Sequence, residues 1–178
     1  MKESILFIGD SITDGFDTAK LLSEFNISNR GISGLGAQDM FDFINEKWFT
    51  DRPDLVFICI GTNDLARGIK DETILLIIEI ICKQCIEYSK SSKIILTTIF
   101  PTRNNESRPN KRIVSFNEQL KILAEKIGCS FFDLHKYFLD DAGMLKSEYT
   151  EDGLHLTRPA YLKWADEFRI YISGNWKV

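Results

Sequence analysis

No basic run, no internal repeat, no low-complexity segment and no long hydrophobic stretch occur in this chain of 178 residues. Its 22 Lys and Arg are scattered and outweighed by 26 Asp and Glu, for a net charge of −4. That balance excludes the electrostatic footprint of a surface for nucleic acid or anionic membrane. The longest apolar stretch, residues 74–82, is broken by Glu79. It falls well short of the roughly 20 residues a membrane-spanning helix needs. Met1-Lys2-Glu3-Ser4 leads straight into a strand pattern with no cleavage site of the signal-peptide kind. Cysteine is scarce: four residues without regular spacing, which fits reduced thiols rather than a disulfide framework. The expectation is one soluble, cytoplasmic domain over residues 1–178, with no nucleic-acid partner and no membrane span.

What is present reads as alternating strands and helices. Ile5-Leu6-Phe7-Ile8 is an apolar run too short for a helix and rich in β-branched and aromatic residues, the mark of a strand buried on both faces. A short helix is predicted over 18–25, a short polar strand over 27–30, and an amphipathic helix over 38–49 carrying Met40, Phe41, Ile44 and Trp48. Residues 55–60 form the clearest buried strand. A long helix follows over 71–89, then a strand over 93–98, a helix over 110–127 with Gly128 as its C-cap, a strand over 130–133, and a last helix over 158–172. This alternation predicts βαβ units and a parallel sheet covered on both faces.

Four unusual segments follow predicted strands: Gly9-Asp10-Ser11, Gly31, Asn63 and Asp152-Gly153-Leu154-His155. In a parallel sheet every strand ends at the same edge, so these loops can converge on one site. Together they supply a hydroxyl, an imidazole, a carboxylate and oxyanion donors, the parts of an acyl transfer. Ser11 alone reads as a helix N-cap, Asn63 alone as a turn residue and Gly31 alone as a turn glycine. The chain has two histidines, His135 and His155. A serine nucleophile needs a base with a pKa near neutrality. His155 has Asp152 three residues upstream to fix its tautomer, whereas His135 has no acid in comparable register and reads as a loop or partly buried residue.

The blocks Gly9-Asp10-Ser11, Gly31, Gly61-Thr62-Asn63-Asp64 and Asp152-Gly153-Leu154-His155 resemble those of the GDSL/SGNH hydrolases, and the resemblance runs over nearly the whole chain. The first block ends in Ile12 where the family name has Leu. The resemblance implies a three-layer α/β/α domain with a flavodoxin-like five-stranded parallel sheet in the order 2-1-3-4-5. It implies hydrolysis of esters or thioesters without metal or other cofactor, with Ser11, His155 and Asp152 as the triad. It further implies an oxyanion hole from Ser11 N–H, Gly31 N–H and the Asn63 amide. Asp10 and Asp64 read as supporting residues that bond loop N–H groups rather than as a metal pair.

Two other patterns carry little. Cys82-Lys83-Gln84-Cys85 lies inside a helical pattern with no second ligand pair, so buried thiols fit better than zinc or redox chemistry. Residues 31–36 are glycine-rich but lack the spacing of a phosphate loop. The polar loop 101–109, with Arg103, Asn104, Asn105 and Arg108, reads equally as a leaving-group contact and as a solvated loop. The expected substrate is a small-molecule ester with a short acyl group such as acetyl, carried by a sugar or another small alcohol. Lysophospholipid and thioester hydrolysis, and a non-catalytic flavodoxin-like binding protein, are the alternatives.

Overall fold

The computed structural model describes residues 3–176. Met1 and Lys2, part of the segment inspected for a leader, lie outside the described residues, as do Lys177 and Val178. Strand β1 (Ser4–Gly9) alternates its side chains between the two faces of the sheet. Leu6 and Ile8 go to one hydrophobic core, Ile5 and Phe7 to the other. A strand with apolar residues on both faces belongs in the middle of a covered sheet, and β1 pairs in parallel with β2 (Asn26–Gly31) on one side and β3 (Leu55–Cys59) on the other. Strands β4 (Lys93–Thr97) and β5 (Ser130–Phe132) continue the sheet, also in parallel. The order is 2-1-3-4-5, as expected.

Between β1 and β2 lie two single-turn helices, α1 (Ser11–Asp14) and α2 (Thr18–Leu21). Helix α3 (Ala37–Phe43) precedes β3, and the short α4 (Thr62–Ala66) and long α5 (Asp71–Tyr88) follow it. Helix α6 (Asn110–Ile127) links β4 to β5, and α7 (Arg158–Asn175) closes the described chain. One core packs Met40, Ile74, Ile78, Ile81, Phe116 and Leu120 against the Leu6 face. The other stacks Phe16, Phe57, Trp164 and Phe168 around Phe7. In this strand order the crossovers leave β1 and β3 in opposite directions. A crevice therefore opens beyond their C-terminal ends, where Ser11 and Asn63 begin the next elements.

Besides the single-turn α1, the short α4 and a last helix that runs to Asn175, three elements differ from the sequence reading. The helix expected over 18–25 stops at Leu21, because Leu22 leaves helical geometry to seat its side chain fully in the core. The helix expected over 38–49 is two pieces: α3 ends at Phe43, Ile44 turns extended, and Asn45 starts a 3-10 turn over Glu46–Phe49 by accepting from Lys47 N–H at 3.1 Å. Strand β2 is six residues rather than four and pairs along its length with β1. It lies at the sheet's edge, half-buried, so no apolar run marked it.

Candidate active site

The sheet delivers Ser11 through the turn that ends β1. Asp10 caps α1: its carboxylate accepts from Ile12 N–H at 3.0 Å, so Ser11 occupies the first helical position rather than the cap. From the far end of the chain, the Tyr161 hydroxyl donates to the Ile12 carbonyl at 2.8 Å and fixes the same turn. The Ser11 hydroxyl lies 3.1 Å from His155 Nε2. His155 Nδ1 lies 2.6 Å from Asp152 Oδ2. The other Asp152 oxygen accepts from the N–H groups of Leu154 (2.9 Å) and His155 (2.8 Å), which folds the loop so that imidazole and carboxylate meet. Thr150 Oγ1 accepts from Gly153 N–H at 2.9 Å and closes the turn from below.

Burial works against ionisation of Asp152. The hydrogen bonds from the His155 ring and from the two backbone N–H groups outweigh it and hold the carboxyl well below the usual carboxylate range. A carboxylate can only accept, so Nδ1 carries the proton and Nε2 presents its lone pair to the Ser11 hydroxyl. His135, the other histidine, is buried behind β4, where its backbone N–H reaches Thr98 Oγ1 at 2.9 Å and its Nδ1 the Ile99 carbonyl at 3.1 Å.

The expected oxyanion donors divide. Asn63 starts beyond β3, and its side chain is held by two neighbours: Nδ2 donates to the Leu35 carbonyl at 2.9 Å and Oδ1 accepts from Arg108 Nη2 at 3.0 Å. One amide hydrogen is left over. Gly31 N–H, by contrast, faces the wrong way. Ile32 N–H donates across to the Gly9 carbonyl of β1, and successive N–H groups along a strand point to opposite sides. Gly31 N–H therefore points off the free edge of the sheet, where Asn29 Oδ1 accepts it at 2.8 Å. A glycine stands there for space: a Cβ would come within 2.1 Å of Asp14 N in α1.

Gly34, three residues on, has a different setting. Ser33 Oγ donates to Asp14 of α1 at 2.8 Å, and the Leu35 carbonyl receives Asn63. Gly34 is thus strung between the serine turn and the asparagine. It has φ +83°, and among the described residues its N–H and that of Ser11 have no acceptor. Nothing in the sequence pattern separates Gly31 from Gly34. The direction of the N–H does.

Asp10 and Asp64 are both buried and both bond loop N–H groups. Both Asp64 oxygens accept from Ala37 N–H, at 3.0 and 2.9 Å, and so tie α4 to the start of α3. Burial pushes Asp10 up from 3.8 to about 6, against the pull of Ile12 N–H and the Arg108 charge. The folded state then holds the Asp10 proton more tightly than the unfolded chain. The stabilisation is complete below 3.8 and lost as pH rises through about 6. Asp10→Asn keeps an oxygen for Ile12 N–H and removes the charge. Its Tm is expected to exceed the parent's by several degrees more at about pH 8 than at about pH 4, with about 3 kcal/mol as the ceiling. Thermal melts of both proteins across that range provide the measurement.

The loop 101–109 is held within the protein. Arg103 bonds the Leu145 carbonyl at 2.6 Å and pairs with Asp140, and Arg108 reaches Thr62 and Asn63. Cys82 and Cys85 are buried on the inner face of α5 as free thiols.

A family model of the GDSL-like lipase/acylhydrolases matches residues 7–163. The chain belongs to this family. The GDSL-like lipase/acylhydrolases are a family of carboxylic ester hydrolases, and the sheet and layers of this chain are the SGNH hydrolase fold. A Streptococcus pneumonia protein named for platelet activating factor is similar at 29% identity and TM-score 0.88, over 97% of this chain and 85% of that one. The acetylxylan esterase Axe2 of Geobacillus stearothermophilus is similar at 23% identity and TM-score 0.76, over 96% and 94%. Among curated proteins, the N-acylneuraminate cytidylyltransferase of Escherichia coli O18:K1:H7 is 30% identical over 160 residues, 88% of this chain. The chain spans only 37% of that protein's length. No helix among the described residues is long and apolar enough to cross a membrane.

Proposed function

We propose that this acylhydrolase is a serine esterase that removes short acyl groups, acetyl foremost, from small hydroxyl-bearing molecules such as sugars. The hydrogen-bonded chain from Ser11 Oγ through His155 to Asp152 carries the reading. Ser11 Oγ attacks the acyl carbon as His155 Nε2 takes its proton. The tetrahedral oxyanion is received by Ser11 N–H, by the spare Asn63 amide hydrogen and by Gly34 N–H in place of Gly31. His155 then protonates the leaving alcohol. Water, deprotonated by the same imidazole, releases the acid and restores Ser11. Each step uses groups of the chain itself, so turnover is expected to be unchanged by EDTA. Four cysteines without regular spacing suit a reducing compartment such as the cytoplasm.

The openness of the site supports a small acyl group and a polar alcohol. His155 and Asp152 are half exposed, and beside them lies a depression of about 300 Å³ lined by Glu151, Thr157, Leu156 and Arg158. Charged and hydroxyl groups suit a hydroxyl-rich leaving group better than a lipid tail. The acylated carbohydrates in the names of Axe2 and of the Escherichia coli relative suggest the substrates to try first.

The test has two arms. A fluorophosphonate is expected to label the protein on Ser11, located by mass spectrometry of the digest. A panel of p-nitrophenyl esters of increasing chain length, alongside acetylated monosaccharides and xylo-oligosaccharides, is expected to give its highest kcat/KM at acetyl. An optimum at long chains would turn the reading toward lysophospholipids. A protein that neither labels nor hydrolyses would return the non-catalytic alternative.

A further inference from the structure

Arg108 lies 45 residues from Asn63 in the chain, on a loop with no obvious tie to it. Its guanidinium nevertheless grips two consecutive residues there: Nε donates to the Thr62 carbonyl at 3.1 Å and Nη2 to Asn63 Oδ1 at 3.0 Å. Among the described residues its bonds go only to neutral acceptors, the third being Ser107 Oγ at 3.2 Å. The loop that carries Arg108 is itself braced. Thr102, buried, donates its hydroxyl to the Arg108 carbonyl at 2.7 Å and its N–H to Asn110 Oδ1 at 2.8 Å. Asn110 returns a bond to the Thr102 carbonyl at 2.7 Å. A planar fork on a fixed loop thus meets the start of α4.

This arrangement settles which way the Asn63 amide faces. A guanidinium can only donate, so the group facing it must be Oδ1. The Leu35 carbonyl can only accept, so the group facing it must be Nδ2. The remaining Nδ2 hydrogen is then directed without alternative. A positive donor on the amide oxygen also draws electron density from the nitrogen and makes that hydrogen a stronger donor.

We propose that Arg108 is a positioning residue of the oxyanion hole: through the Thr62 and Asn63 clamp it orients the Asn63 amide and polarises it toward the charge that develops on the substrate oxygen. The proposal rests on the acyl-transfer reading of Ser11. Because the charge exists only in the transition state, the effect belongs to kcat and not to KM. Lysine, a single-point donor on a flexible stem, cannot span both acceptors.

The test is a double-mutant cycle with p-nitrophenyl acetate, using parent, Arg108→Lys, Asn63→Ala and the double variant, with melting curves for each. Arg108→Lys is expected to lower kcat about 10- to 100-fold at nearly unchanged KM, and Asn63→Ala on the order of 10²–10³-fold. In the Asn63→Ala background Arg108→Lys is expected to change kcat less than about twofold, since the amide it acts through is gone. Equal losses in both backgrounds would overturn the proposal, as would a loss confined to KM or no loss at all. A lowered melting temperature with intact kcat below that temperature would reduce Arg108 to a structural brace. A parent inert to both the ester and the fluorophosphonate would overturn the acyl-transfer reading and this proposal with it, whereas an active parent with additive losses overturns this proposal alone.

Discussion

Replacing Ser11 with alanine is expected to lower kcat/KM for p-nitrophenyl acetate by a factor on the order of 10⁴–10⁶ while the melting temperature stays within about 2 °C of the parent. The two halves of that outcome have separate causes. Activity goes because the Ser11 hydroxyl is the oxygen that faces His155 Nε2, at 3.1 Å, and alanine leaves nothing to deprotonate. Stability stays because the turn does not depend on that hydroxyl: Asp10 caps α1 through Ile12 N–H, and Tyr161 holds the Ile12 carbonyl. Ester assays and thermal melts on the same preparations read both. A variant that hydrolyses at a tenth of the parental rate or better would remove Ser11 from the mechanism. A variant that unfolds would show that Ser11 is part of the cap network.

Asp152→Asn is expected to cost about 10³–10⁴ in kcat/KM for the same ester, again with little loss of fold. The reason lies in the direction of one hydrogen bond. Asp152 Oδ1 accepts from Leu154 and His155 N–H groups, and an asparagine oxygen can keep both bonds. That choice turns the new NH₂ toward His155 Nδ1, where Oδ2 stood at 2.6 Å. Nδ1 must then accept, which moves the ring proton to Nε2 and leaves no base for Ser11. Asp152→Ala imposes no tautomer, so it is expected to retain more activity than Asp152→Asn despite losing more contacts. Kinetics of the two variants side by side decide the matter. An asparagine variant more active than the alanine one would show that the charge of Asp152 matters less than its filling of the turn.

The central strands were legible because burial on both faces writes itself as an unbroken apolar run, as in residues 5–8 and 55–60. Strand β2 was harder to see: an edge strand with a half-buried face carries Asn29 and Arg30 among its six residues and shows no such run. The break at Ile44 was hidden for another reason. Its side chain is buried whether the helix continues or turns, so the apolar spacing gives no sign of the change. Ser11, Asp152 and His155 could be singled out by type and position along the chain. The glycine could not, since Gly31 and Gly34 differ in which way a backbone hydrogen points, and that depends on where β2 stops pairing. Asn29 was equally invisible as a strut, yet its amide ties the carbonyls of Thr13 and Phe16 as well as Gly31 N–H. In the sequence Arg108 reads equally as a leaving-group contact and as part of a solvated loop, and its partner 45 residues upstream shows only in three dimensions.

Ser11 and His155 are separated by 144 residues, one beyond the first strand and the other beyond the fifth. The pair is complete only when the first and fifth strands are seated in one sheet. Colour from a chromogenic ester is therefore a report on the entire architecture, silent for any nascent or clipped chain that has not closed it. A colony screen for yellow halos would rank variants of distant core positions, such as Phe57 or Trp164, by how faithfully they assemble.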